Sequence, residues 1–168
     1  MRYLATIKAW PLPAKIILVI AVILLAVMLL GLLAGTVQTY RVQHRPAQQQ
    51  FTSGTVPALL PNGFHQGNPF SGIGKHWQGK VFDANNGTGI NKFDDGERFV
   101  FKIYPATGLR DKQQVLKIDY NQPGNPLWLR FIVDEIVQTS PGHYLGKVHV
   151  RVIPGIVFTL TYFELTQK

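Results

Sequence analysis

Residues 16–35 read IILVIAVILLAVMLLGLLAG, a run of twenty residues with no charged or polar side chain. A helix of this length is about 30 Å long, the thickness of the hydrocarbon core of a bilayer. A helix on the surface of a soluble domain needs a polar face, and this run has none. We therefore predict a transmembrane helix over 16–37 that follows a short basic N-terminus over 1–15.

The chain carries a formal net charge of +8, but its basic residues are unevenly placed. Five of them flank the apolar run: Arg2, Lys8, Lys15, Arg41 and Arg45. At those positions they would meet anionic lipid headgroups. From Pro46 onward, twelve lysines and arginines stand against nine acidic residues, a net charge of only +3. The charge pattern therefore indicates a membrane protein and argues against a nucleic-acid partner.

The length and flanks of the run also bear on topology. The apolar part of a secretory signal has roughly 7 to 15 residues, so this longer run predicts an uncleaved signal-anchor. Three basic side chains and the amino terminus precede the run, whereas two arginines and His44 follow it. The positive-inside rule then places the N-terminus in the cytoplasm. We expect a single-pass protein of the cell (inner) membrane with a periplasmic or other extracytoplasmic C-terminal domain.

Gly31 and Gly35 form a G-x-x-x-G pattern within the predicted helix. Such spacing lets two helix backbones approach closely, which would allow a homodimer. Chance spacing in a segment rich in small and apolar residues is the alternative. The lipid bilayer is the expected partner, with a homodimer or a membrane protein partner left open.

Beyond the run, the composition of the chain changes at residue 38 and again at residue 63. Residues 38–62 are polar, contain prolines and include the triplet 48–50 of glutamines, so we predict a linker there. Residues 63–168 form the predicted domain, in which apolar and polar positions alternate between turn sequences rich in Gly and Asn. The predicted strands cover 76–83, 97–105, 113–121, 127–138, 143–153 and 156–166.

Short turns join these strands in chain order, which favours an antiparallel meander that closes into a barrel or stacks as a sandwich. Phe99, Phe101 and Ile103 share one face of their strand, and the opposite face is mixed, so we expect one curled sheet around one interior. In the last strand the apolar face consists of Ile156, Phe158, Leu160 and Tyr162. The predicted fold is mainly β: an N-terminal transmembrane helix and a small antiparallel β-barrel, with a β-sandwich as the alternative.

The segment 74–82, Gly-Lys-His-Trp-Gln-Gly-Lys-Val-Phe, resembles the start of calycin-type barrels, where a glycine and a tryptophan near the first strand plug the barrel's end. Its W-x-G-K-x-F stretch is similar to the GXWXG family of uncharacterised bacterial proteins, although the first glycine is spaced as G-x-x-W here. Later pieces follow in compatible order: Lys117–Tyr120, Asn125-Pro126, Arg130-Phe131, Asp134-Glu135, Tyr144–Lys147 and Tyr162–Leu165. The likeness covers about 59–165. It implies a lipocalin-like barrel and no reaction, because the family has no assigned activity.

Trp77 and Tyr120 are candidates for lining a ligand pocket inside the barrel. For Trp77 the alternative is core packing with its indole N–H satisfied. Tyr120 follows Asp119, where a structural hydrogen bond is the expected role.

A second group of candidates is cationic. His149 lies between Lys147 and Arg151 on a predicted basic strip, and with Arg130 and Lys102 this strip would attract a lipid phosphate or carboxylate. The alternative is a solvated cationic face. The predicted ligand-binding residues are thus Trp77, Tyr120, Arg130, His149 and Arg151.

Asp134 and Glu135 lie in an otherwise apolar strand. Adjacent strand residues point to opposite faces, so these two carboxylates cannot converge on one substrate atom. We expect a salt bridge from one of them to Arg130 or Lys147.

No sequence motif supports catalysis or metal binding. The histidines lack H-x-H or H-E-x-x-H spacing, there is no cysteine, and no serine lies in G-x-S-x-G. The sequence therefore predicts no catalytic residue, no metal site and no cofactor, and it favours a protein that is not an enzyme.

Two functions remain. The first is a membrane-anchored barrel that binds a lipid or other small apolar molecule near the bilayer. The second is a structural or assembly subunit of a membrane or envelope complex with no ligand of its own. The interior volume discriminates between them, because a cavity of about 300 Å³ or more favours ligand binding.

Overall fold

The computed structural model describes residues 10–70, 76–153 and 155–168. Most of the predicted N-terminal segment 1–15 and Gly74 of the GXWXG-like segment lie outside these residues. The chain divides into two compact units, Met1–Val37 and Gln38–Lys168.

Helix α1 spans Leu12–Gln43 and contains the apolar run. Proline suits the first turn of a helix because the amide it lacks would have no intrahelical partner there, and Pro13 occupies the second position. Large apolar side chains are exposed on every face of the helix over 16–33. The helix is long and apolar enough to cross a membrane, in agreement with the sequence.

The second unit is a closed antiparallel barrel in which each strand pairs with its neighbours in chain order and the last pairs with the first. This confirms the predicted helix followed by a small barrel. A short helix α2, Pro46–Ser53, precedes it, and a 3₁₀-helix, Leu127–Phe131, precedes the sixth strand. The strands are β1 Gly63–Pro69, β2 Trp77–Asp83, β3 Thr88–Phe93, β4 Gly96–Thr107, β5 Gln114–Asp119, β6 Ile132–Ser140, β7 His143–Ile153 and β8 Ile156–Gln167.

The strands predicted from the sequence did not include β1 and β3. Both strands are short and rich in Gly and Asn, so neither shows apolar alternation. Pairing with neighbours on both sides supplies the order that local propensity does not. The predicted strand 127–138 begins with the 3₁₀-helix because Pro126 ends the preceding extended segment.

Inward-facing glycines make room for aromatic rings in the barrel. A Cβ built on each of three glycines would overlap the ring of a neighbouring residue. The pairs are Gly67 with Trp77, Gly89 with Phe101, and Gly146 with Phe163. The interior core around them consists of Phe82, Ile103, Leu116, Ile118, Tyr120, Leu129, Ile136, Tyr144 and Leu165.

The outer face of β5 to β8 carries a second apolar core, and here the structure differs from the predicted linker. Val42 at the end of α1 and Ala47 and Phe51 of α2 are buried on this face. They pack with Val115, Val137, Leu145 and Tyr162. Residues 38–53 are therefore ordered as helices because they cover apolar side chains that the barrel turns outward.

This cover also corrects the predicted apolar face of the last strand. Phe163 and Leu165 belong to the interior core, whereas Tyr162 points outward beneath α2. Both faces of β8 are buried over this stretch, so alternation could not show which one faces inward.

Candidate functional site

A group of four buried polar side chains lies inside the barrel, and we call it the interior polar cluster. It consists of Lys80 on β2, Asn91 on β3, Asp134 on β6 and Tyr120, which follows β5 directly. Lys80 Nζ lies 3.0 Å from both Asn91 Oδ1 and Asp134 Oδ2, and it also contacts the hydroxyl of Tyr120. The Tyr120 hydroxyl donates to Asp134 Oδ2 over 3.0 Å. The three protons of the ammonium thus each have an acceptor.

Asn91 connects this cluster to the wall of the barrel. Its Oδ1 accepts a hydrogen bond of 3.0 Å from the Trp77 indole N–H. Its Nδ2 donates to the Tyr120 hydroxyl over 3.1 Å and to the carbonyl of Phe99 over 3.3 Å. Phe99 is the extra residue of a β-bulge and has a φ of 69°, a rare conformation for a bulky residue. The indole N–H of Trp77 is satisfied, and Asn91 fixes the position of its ring.

Burial and charge set the titration of this cluster. Removal from water lowers the pKa of Lys80, and the nearby carboxylate of Asp134 opposes that shift. Burial, followed by the charge of Asp134, raises the pKa of Tyr120 well above its ordinary value. Tyr120 therefore remains a neutral hydroxyl near pH 7 that can donate and accept hydrogen bonds.

Aromatic rings enclose the ammonium. Lys80 Nζ lies 5.0 to 5.5 Å from four ring centroids, those of Trp77, Phe101, Tyr120 and Phe163. At such distances the negative ring faces attract a cation, which offsets part of the cost of its burial.

A cavity of about 340 Å³ opens from this cluster to the surface. Lys80, Asn91, Tyr120 and Asp134 line its buried end. Its walls are mainly apolar, and the exposed ring of Trp128 lies at its mouth. Other wall residues are Trp77, Phe93, Phe99, Leu129, Val148 and Phe163.

The structure separates the predicted ligand-binding residues into three places. Trp77 and Tyr120 both line the interior cavity. Arg130 and Arg151 line a different surface groove of about 580 Å³. His149 is fully buried on the outer face of the barrel.

The predicted basic strip is wrong, because residues 38–53 and the loop after β4 cover it. Lys147 is fully buried and bonds to Gln48 Oε1 over 2.8 Å and to the carboxylate of Asp111. His149 Nε2 lies 3.3 Å from Glu135 Oε2, and its Nδ1 lies 3.2 Å from the Thr159 hydroxyl. Neither side chain is accessible to an anion from solvent.

The two adjacent acids do point to opposite faces, as their spacing predicts. Asp134 is in the interior and Glu135 is on the outer face, where one of its oxygens accepts the amide of Leu109 over 2.6 Å. The expected salt bridge to Arg130 or Lys147 is wrong, since Asp134 pairs with Lys80 and Lys147 pairs with Asp111.

The hydrogen-bonding role expected around Asp119 is confirmed. Its carboxylate accepts hydrogen bonds from the Tyr104 hydroxyl and from Arg151, each over 3.2 Å.

The site residues predicted from the sequence did not include Lys80, Asn91 or Asp134. Lys80 is the lysine of the W-x-G-K-x-F stretch and lies three residues after Trp77, so only a bulge between Trp77 and Gly79 turns both inward. Asp134 is a charged residue in an otherwise apolar strand, and this feature could have identified it as a site residue. Its partner could not be identified without the strand pairing.

The fold and the site together define a small antiparallel barrel with an interior cavity and a buried polar cluster, preceded by a helix long enough to cross a membrane. No family model and no curated protein matches the chain. Among solved structures, it is similar to the crystal structure of a protein from Thermomonospora curvata, with 18% identity and a TM-score of 0.49. That match covers 72% of this chain and 84% of the other.

Proposed function

We propose that this protein is a membrane-anchored barrel that binds a small, largely apolar molecule inside the barrel. The interior cavity carries the proposal. Its volume of about 340 Å³ falls at the lower end of the range of small-molecule sites, roughly 300 to 1,000 Å³. Apolar walls with a few convergent polar groups at the buried end are the usual composition of such sites.

The polar cluster suggests which end group the ligand carries. Lys80 and Asp134 form a buried pair whose charges cancel, and the ammonium has three acceptors within the cluster. No uncompensated cation is thus available at the buried end for a carboxylate or phosphate.

An acceptor, by contrast, is available at the buried end. Asp134 Oδ1 has no hydrogen-bond partner among the described residues, and Asp134 lines the cavity. The ligand that fits is therefore neutral, with an apolar body and a hydroxyl or N–H donor at one end.

Native mass spectrometry of the full-length chain, released from nanodiscs, tests this proposal with 1-decanol and decanoate as probes. We expect decanol to bind and decanoate to bind at least tenfold more weakly, because the carboxylate would face Asp134. Val148→Phe places a larger side chain in the cavity wall and should abolish decanol binding. Val100→Phe makes the same change at an exposed position outside the cavity and should leave binding intact.

Equal binding to both variants would show that decanol does not occupy the barrel. An empty protein that crosslinks in membranes to a defined second protein would favour the alternative function, an assembly subunit without a ligand.

A further inference from the structure

Five large apolar side chains are exposed together beside the mouth of the cavity, and we call them the rim patch. Three come from the 3₁₀-helix and two from the end of β7. Their exposed fractions are 71% for Leu127, 63% for Trp128, 45% for Phe131, 43% for Val152 and 55% for Ile153. Single exposed apolar residues are ordinary, but a contiguous group that includes tryptophan marks an interaction site.

The two parts of the rim patch are neighbours in space. Leu127, Phe131, Val152 and Ile153 line one surface groove, and Trp128 extends the patch to the mouth of the cavity. The ring of Trp128 makes an edge-on contact with Phe99, with 6.0 Å between centroids. The patch is therefore continuous with the entrance to the barrel.

Basic side chains accompany the patch. Arg130 and Arg151 line the same groove; Arg151 is paired with Asp119 over 3.2 Å, whereas Arg130 has no acidic partner among the residues that the structure describes. Tryptophan, aliphatic side chains and arginine together match the boundary between lipid headgroups and acyl chains. Arginine at such a surface is attracted to anionic lipid.

Two residues that follow the apolar run in the chain contact the last strand of the barrel. Gln38 Nε2 donates to the carbonyl of Leu160 over 2.7 Å, and Thr39 Oγ1 accepts the amide of Thr159 over 2.9 Å. These contacts lie in the first half of β8, which begins at the turn after the rim patch residue Ile153. Residues 38 and 39 thus join the half of the barrel that carries the rim patch.

The other end of the covering segment lies elsewhere. Thr55 pairs with Gln138 near the end of β6. The apolar run ends at Gly35, and the three residues from there to Gln38 can span at most about 10 Å. Gln38 and Thr39, which make the first of these barrel contacts, follow the run by three and four residues in the chain.

From these observations we propose that the rim patch is a membrane-contacting surface that inserts into the headgroup region of the bilayer that anchors the chain. The mouth of the cavity then opens toward lipid, and apolar ligands can enter without crossing water. The contact depends on the anchor and the patch only, so it stands whether or not the barrel holds a ligand.

Site-directed spin labelling tests this surface, because the natural chain has no cysteine. Full-length variants with Leu127→Cys or Ile153→Cys are labelled and reconstituted into nanodiscs of phosphatidylcholine with one quarter phosphatidylglycerol. Ser140→Cys, at the exposed last residue of β6, is the matched control. Electron paramagnetic resonance then compares relaxation by oxygen, which concentrates in lipid, with relaxation by a water-soluble nickel chelate.

We expect the ratio of oxygen to nickel accessibility at positions 127 and 153 to exceed that at 140 at least threefold. Replacing phosphatidylglycerol with phosphatidylcholine should reduce this difference, since Arg130 loses its anionic lipid partner. Water-like ratios at both patch positions would overturn the proposal. So would labels shielded from both reagents, because that result indicates burial against protein, such as a second copy of the chain.

Discussion

Replacing Asp134 with alanine should destabilise the barrel strongly and make its stability depend on pH in the alkaline range. In the native protein this carboxylate is the only acidic group that contacts Lys80 Nζ among the described residues. The lysine side chain is 3% exposed and lies at the buried end of the cavity. Asp134→Ala thus leaves a buried ammonium without its counter-charge.

The size of the stability loss is limited by the alternative open to Lys80, which is to release its proton. Loss of one partner of a buried ion pair typically costs about 3 to 5 kcal/mol. Deprotonation of Lys80 sets a ceiling on this cost, because an amine with an ordinary pKa of 10.5 gives up its proton at pH 7 for about 5 kcal/mol. We therefore expect a loss of about 3 to 5 kcal/mol in the free energy of unfolding at pH 7.

The pH dependence has a definite sign. Burial lowers the pKa of Lys80 in the folded state, and removal of Asp134 takes away the interaction that opposes this shift. Between pH 7 and pH 10 the folded variant then binds fewer protons at Lys80 than the unfolded chain. Its stability must therefore rise with pH, by up to about 1.4 kcal/mol per unit. The native protein should show a shallower rise, because Asp134 favours the charged lysine.

Urea unfolding of the full-length chain in detergent, followed by tryptophan fluorescence between pH 7 and pH 10, measures both effects. Asp95→Ala removes an exposed pair with Arg98 and should change stability by less than about 0.5 kcal/mol. The double variant Lys80→Met with Asp134→Leu removes both charges and should be clearly more stable than Asp134→Ala. A loss below about 1 kcal/mol for Asp134→Ala, or a pH profile parallel to that of the native protein, would refute the reasoning.

Three further changes probe other parts of the fold. Gly67→Ala places a Cβ against the ring of Trp77 and should lower the free energy of unfolding by about 1 to 3 kcal/mol. Gly63→Ala is the control: its Cβ would meet open space, but the residue has a positive φ, so any loss of stability there comes from backbone strain alone. Phe51→Ala removes a fully buried ring from the outer core and should cost about 3 to 5 kcal/mol in thermal unfolding, with increased proteolysis of residues 38–53. Burial lowers the pKa of His65, so the folded state resists protonation and the barrel should lose stability as the pH falls below about 6.5. In His65→Leu this acid-dependent loss should shrink, and an unchanged pH profile would argue that His65 is not its source.

Much of the architecture was predictable because it depends on local patterns. The turn sequences between strands and the period-two alternation indicated an antiparallel meander without knowledge of any contact. Helix α2 was not predictable, since Ala47 and Phe51 are its only buried residues and eight residues make a marginal helix in isolation. It is helical because the outer face of the barrel offers an apolar surface to cover.

The site was predictable only in fragments. Trp77 and Tyr120 were predicted as candidates for lining a ligand pocket, but the polar groups between them come from strands distant in sequence. Lys80 and Asp134 are 54 residues apart. Arg130 and Arg151 lie together in a groove, although not in the cavity and not beside His149.

By itself the sequence determined the helix of the apolar run and the opposite orientations of Asp134 and Glu135. Both follow from the geometry of a single helix or strand, which needs no partner. Tertiary structure decided which of these side chains faces the interior. It also buried Lys147 and His149, which the sequence had placed on a basic surface. The physical reason is that a period of two separates the two faces of a strand without identifying them. Only closure of the barrel and its cover by residues 38–53 assign one face to the cavity and the other to a second core.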